Sequence, residues 1–218
     1  NNVTMGDLTM GIPTGTSGVA ATVTGGRIGH LSMAPGSTVE LIGSVTVKNE
    51  VEVLSGAVLT VTAQSGGEPA FEGQVAILSG GKLVASAGRF HEKVAFSTTG
   101  AKGELSGGEY NYLKCGDGQQ LKDVLKTGYA FFAGSRLENG YVTELVGKTY
   151  TVQPHTHSYA WDTTTHEKKC GCGDVSETDT AAPVINFLNA TLKTENGQQV
   201  TLAEHRVAGR NVQLLLAA

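Results

Sequence analysis

The chain has 218 residues with a formal charge of -4, enough length for one or two domains and a proper core without disulfides. Thirty glycines stand against five prolines and 6% aromatics, and no Gly-X-Y period runs through them, which excludes collagen and points to turns between many short strands. Residues 1–115 hold nine acids and seven bases, so no basic stripe is present for nucleic acid, and no apolar run approaches the roughly 18 residues of a membrane span.

In chain order, the first long region repeats one phrase, a Gly step followed by a short alternating apolar run. It occurs at Gly36-Ser37-Thr38-Val39-Glu40-Leu41, Gly56-Ala57-Val58-Leu59-Thr60-Val61, Gly80-Gly81-Lys82-Leu83-Val84 and Gly107-Gly108-Glu109-Tyr110-Asn111-Tyr112. Gly36, Gly56, Gly80 and Gly107 are the anchors of this repeat, and the steps between them lengthen along the chain. A unit of roughly 20 to 27 residues cannot bury its own apolar face and must stack on the next. Alternation at Val45, Val47, Val51, Val53, Val75 and Ile77 has period two, which turns one set of side chains inward and the other to solvent. The expected fold is all-β, a right-handed parallel β-solenoid over residues 1–117. An antiparallel sandwich, whose short strands are also regularly spaced, is the competing architecture.

After Cys115 the pattern changes. Leu121, Val124 and Leu125 share a helical face ahead of Gly128, and Asn139-Gly140 separates Tyr129-Ala130-Phe131-Phe132 from Tyr141-Val142-Thr143. A short helix and a hairpin over 118–153 are expected to cap the open end of the stack. Residues 154–182 form a His- and Cys-rich mini-region with Trp161 as its expected small core, and Asp174 to Pro183 reads as a linker. Strands are expected again over 183–218, with a turn near Asn196-Gly197, as part of an Ig-like or accessory module. The chain reads as an excised piece of a larger protein.

The dense set of ligand-type residues is His155, His157, His166, Cys170 and Cys172. Imidazole and thiolate together suit tetrahedral Zn²⁺, with five candidates for four places and a C-x-C step shorter than the usual C-x2-C knuckle. Such a site is structural, having no open coordination position. A disulfide, either within Cys170-Gly171-Cys172 or from one of these to Cys115, competes with the metal. For catalysis by a carbohydrate-active β-helix, clustered carboxylates are needed; here the glutamates are scattered, and Glu50 and Glu52 with Lys48 read as a solvated face. Partner contacts are best sought at Arg89, Phe90, His91 and Lys93, where charge and an aromatic meet at a rung-to-rung turn, and at Tyr110 and Tyr112.

The Ser-Gly-Gly phrases, Leu121-Lys122-Asp123-Val124-Leu125, Gly128-Tyr129-Ala130-Phe131 and the run His155-Thr156-His157-Ser158-Tyr159-Ala160-Trp161 with His166 and Cys170-Gly171-Cys172-Gly173 resemble β-helical modules of large surface proteins from gut Gram-positive bacteria. The resemblance implies secretion and display on a bacterial cell wall, in modules similar to adhesins and to immunoglobulin-binding superantigen proteins. The expected function is a non-catalytic binding module that engages a host protein such as an immunoglobulin, ahead of a host glycan, without nucleic acid or membrane insertion. A polysaccharide lyase or hydrolase, and a structural stalk, are the alternatives.

Overall fold

The computed structural model of the chain describes residues 4–10 as backbone and residues 19–180 in full. Strand β1 (Thr4–Met10) precedes the first coil, made of β2 (Ala20–Val23) and β3 (Gly26–Met33). The second coil holds β4 (Thr38–Ile42), β5 (Val45–Val47) and β6 (Val51–Val53), and the third β7 (Val58–Thr62), β8 (Ala70–Phe71) and β9 (Val75–Ile77). In the fourth and fifth lie β10 (Lys82–Ala85) with β11 (Arg89–Phe96), and β12 (Lys102–Leu105) with β13 (Glu109–Cys115). Every coil-to-coil pairing is parallel, in a short sheet ordered β2-β4-β7-β10-β12 and a long one running from β1 and β3 to β13. The chain is therefore a parallel β-solenoid of about five turns, not a sandwich.

The register corrects the repeat anchors. Thr38 pairs with Val58, Val58 with Lys82 and Lys82 with Lys102, so the last step is as short as the first and the third coil alone is longer. Gly100, whose carbonyl accepts from the Gly80 amide, is thus the true successor of Gly80. Gly107 belongs to the other corner, where an added Cβ would stand 2.0 Å from the Ser86 carbonyl oxygen. The third coil spends its extra length on a tight loop closed by paired Gln64 and Gly67 hydrogen bonds.

Period-two alternation and parallel register together build ladders of like side chains inside the coil. One ladder runs Ile28, Val47, Phe71, Phe90, Tyr110, Tyr150, with Phe71 stacked on Phe90 at 4.5 Å and Phe90 on Tyr110 at 4.7 Å. Another runs Met33, Val53, Ile77, Phe96, Cys115. All of these are buried, and they share one continuous core.

The cap departs from expectation in two places. The helix is a single 3-10 turn, Leu121–Val124, because Leu125 returns to extended backbone and bridges Leu105, while the Lys126 amide donates to the Leu105 carbonyl at 2.9 Å. Pairing with the last coil stops the helix. The chain then forms β14 (Tyr129–Ala133), β15 (Arg136–Leu137) and β16 (Glu144–Pro154). The hairpin turns at Gly134, with φ +61°, and β14 pairs antiparallel with both β15 and β16. Asn139-Gly140 lies instead in the connection to β16, where the Asn139 side chain accepts the Tyr141 amide. Antiparallel β16 closes the edge of β13.

Beyond the cap stands a small antiparallel sheet, β17 (Tyr159–Asp162), β18 (Glu167–Cys170) and β19 (Val175–Thr178). Strand β19 occupies part of the expected linker; all four of its residues are exposed, so no apolar alternation betrays it in the sequence. Trp161 is 50% exposed and does not form a core for this region. The strands expected over 183–218 lie outside the described residues.

Candidate functional site

Strand β16 ends at Pro154, and the His155 amide donates to the Gly128 carbonyl at 2.8 Å, which fixes the exit of the chain against the cap. In extended chain, residues two apart point the same way, so His155 and His157 face one side together. Cys170 ends β18, and a turn closed by the Gly173 amide to the Cys170 carbonyl, 2.9 Å, brings Cys172 round to the same place. Gly173 takes φ +94° in that turn, and an added Cβ would strike the Asn139 side chain at 2.2 Å.

His155 Nε2 lies 3.2 Å from Cys170 Sγ, and His157 Nδ1 lies 3.4 Å from Cys172 Sγ. The four ligand atoms all fall within 4.8 Å of one another. Bond lengths of ~2.3 Å to sulfur and ~2.0–2.1 Å to nitrogen give a tetrahedron whose N···S edge is about 3.6 Å. The two N···S separations are close to that edge, and no two of the donors lie more than 4.8 Å apart. Two imidazoles and two thiolates complete a tetrahedral set, and this cluster could hold a metal ion with no coordination position left over.

His166 does not join them. Tyr159 pairs with Cys170 at one end of the β17–β18 ladder and Asp162 with Glu167 at the other, three steps or about 10 Å along the strands. His166 sits in the turn beyond that far end, with φ +56° and its amide donating to the Asp162 carbonyl. All three cysteines are free in the structure. Cys115 is buried under Phe96 inside the last coil, where burial pushes its thiol up to about 12; it serves there as a small apolar side chain.

Burial opposes ionisation of both cluster thiols. At Cys170 it is outweighed by hydrogen bonds from the Cys172 backbone, the His157 side chain and the Ser158 backbone, which bring the thiol down to about 6. At Cys172 burial and the neighbouring Cys170 sulfur prevail, and the thiol rises to about 11. The pair gives up its first proton readily and resists losing the second.

Sequence reasoning missed the group beside the cluster. The Asp174 carboxylate accepts from the Tyr141 hydroxyl and, at 2.6 Å, from the Tyr159 hydroxyl, and these bonds hold its own pKa below the usual carboxylate range. His157 stacks on Tyr159 with ring centroids 5.5 Å apart. Asp174 follows the Cys-Gly-Cys-Gly step directly, the one signal that pointed to it; nothing in the sequence ties Tyr141 to a site so much further along the chain.

The outer-face candidates divide. Phe90 and Tyr110, 2% and 0% exposed, are the centre of the aromatic ladder and cannot meet a partner. Their alternation partners remain outside: Arg89 pairs with Glu68 at 2.7 Å, His91 is exposed in the irregular stretch between Phe90 and Lys93, and Lys93 stands opposite Tyr112. Tyr112 is half-buried and hydrogen-bonds Glu144 of the cap, which raises its pKa. Lys48 joins Glu72 of the next coil rather than Glu50 or Glu52. Fold and cluster thus define a capped β-solenoid with a His2Cys2 donor set. No protein-family description, curated protein or solved structure matches the chain.

Proposed function

We propose that the chain is a non-catalytic binding module of a bacterial surface protein, secreted to the cell wall, and that it engages a host protein such as an immunoglobulin ahead of a host glycan. The observation that carries this reading is the face of the fourth and fifth coils. Arg89, His91, Lys93 and Tyr112 are held there on parallel strands whose inward neighbours are locked in the stack. A rigid, charged face of this kind suits the flat framework of another protein. With Phe90 and Tyr110 turned inward, Tyr112 is the one aromatic of that set on the outside, which disfavours sugar stacking. Three ion pairs on the coils run from rung to rung, Lys48–Glu72, Lys82–Glu104 at 2.7 Å and Arg89–Glu68, which supports a scaffold role for these charges. The metal of the cluster is zinc in this reading, and its role is structural.

Capture from serum and from mucus by the immobilised protein tests the reading. Recovery of a host protein, lost when Arg89, His91 and Lys93 are replaced by alanine, is the expected result. Turnover of pectin-like or mucin-type polysaccharides would replace it with the lyase or hydrolase alternative, and silence in both assays with the stalk. Elemental analysis with thiol titration checks the zinc separately.

A further inference from the structure

We infer that the metal is the fastener of the β17–β19 sheet: bound, it holds that sheet on the cap, and removed, it lets the sheet come away while the solenoid keeps its fold. The inference rests on the zinc reading above. The donors span two bodies: the His155 amide is bonded to the cap at Gly128, Cys170 and Cys172 sit on the sheet, and His157 lies in the connection between them, stacked on Tyr159 of β17. His155 directly follows β16, a strand paired on both sides by β13 and β14, whereas Cys170 and Cys172 belong to the end of β18 and its turn.

Apart from the donors, little joins these bodies. The apolar contact consists of buried Ala130, Cys170 and Cys172 with partly buried Phe132, Leu137 and Tyr159, and two of its three buried members are the donors themselves. None of the four donors enters the solenoid core. An open cleft of about 230 Å³ lies on the cap at its border with the sheet, lined by Tyr129, Glu138 and Tyr141 of the cap together with His157, Cys172 and Asp174. Two polar links cross between them: the Gly140 amide to the Cys172 carbonyl at 2.9 Å, and the Tyr141 hydroxyl to Asp174. Both would have water as an alternative partner once the sheet lifted. Three short strands, one of them fully exposed, do not make an independently stable unit. One ion bonded to both bodies supplies what packing does not. Asp174, linked to Tyr141 on the cap and Tyr159 on the sheet, is a positioning residue that sets the sheet at the height the donors need.

The test uses the full chain loaded with Zn²⁺, then stripped with a chelator, then reloaded. Hydrogen exchange should accelerate by about tenfold or more over 159–178 on stripping and recover on reloading, with the amides of 38–115 unchanged. Trp161 is the chain's single tryptophan and lies on β17, so its emission and anisotropy report on this sheet alone. Asp174→Asn should weaken zinc binding by roughly 10- to 100-fold while leaving exchange in the coils untouched. Measured zinc with equal protection of 159–178 in both states would overturn the inference and leave the zinc reading standing. Loss of protection throughout the coils would also overturn it. A chain that takes up no zinc would remove the zinc reading, and the inference with it.

Discussion

Phe90 illustrates how one position changes meaning between sequence and structure. Beside Arg89 and His91 it reads as part of a contact patch, yet alternation turns it inward between Phe71 and Tyr110. Phe90→Ala should therefore cost about 3–5 kcal/mol in urea denaturation, as a cavity in a packed ladder does, and a surface role would cost almost nothing. Tyr110 donates its buried hydroxyl to the Gly107 carbonyl at 3.0 Å, so Tyr110→Phe should cost about 1 kcal/mol in the same assay. At the His2Cys2 cluster the two thiols predict a pH response. With Cys170 brought to about 6 and Cys172 raised to about 11, one is thiolate and the other thiol near neutral pH. Zinc uptake there should release about one proton, measurable by calorimetry in buffers of different ionisation enthalpy. Because the Cys170 value is depressed in the folded chain, its stabilising contribution is present above the unfolded thiol value and is lost as pH falls through about 6. Zinc affinity should drop more steeply below that point, where both thiols must be deprotonated.

At the level of the element, the join between coil and cap turns on Gly103. It occupies the rung where Val39, Leu59 and Leu83 stand in earlier coils, and Val124 of the 3-10 turn fills the space its missing side chain leaves. A Cβ at that position would meet the Val124 Cβ at 2.4 Å. Gly103→Ala should push the turn off the last rung and cost about 1–3 kcal/mol, with faster exchange at the Leu121 and Lys126 amides than at those of the inner coils. A cap over this stretch was legible from Leu121 and Val124, both buried. Its 3-10 form was not, because the pairing of Leu125 with Leu105 is a contact across a whole coil that helical periodicity does not encode. The same holds for Asn139-Gly140, a sound local turn signal drawn into contacts with the 3-10 turn and with Cys172: Gly140 accepts from the Lys122 amide and donates to the Cys172 carbonyl.

Across the whole molecule, stability is a chain of neighbour-to-neighbour terms, since each coil touches only the coils beside it and, at the far end, the cap. Central coils are covered on both sides. Leu59→Ala should cost about 2–5 kcal/mol, more than the same truncation nearer the first coil, and denaturant-dependent hydrogen exchange should find the slowest amides in coils two to four.

From sequence alone the glycine phrases and period-two alternation pointed to the coiled parallel stack, to inward residues such as Val45, Val47, Val51 and Val53, and to the change of structure after Cys115. These are local properties, repeated until stacking is the only way to bury the apolar face. The identity of the donor set was legible too, as residue types, but its membership was not. Tertiary structure decided that His166 stands beyond the far end of the β17–β18 ladder, that Phe90 and Tyr110 are interior, and that Asp174 joins Tyr141 to Tyr159. Each of these depends on which strand lies beside which and in what register, and register is set by contacts between residues far apart in the chain.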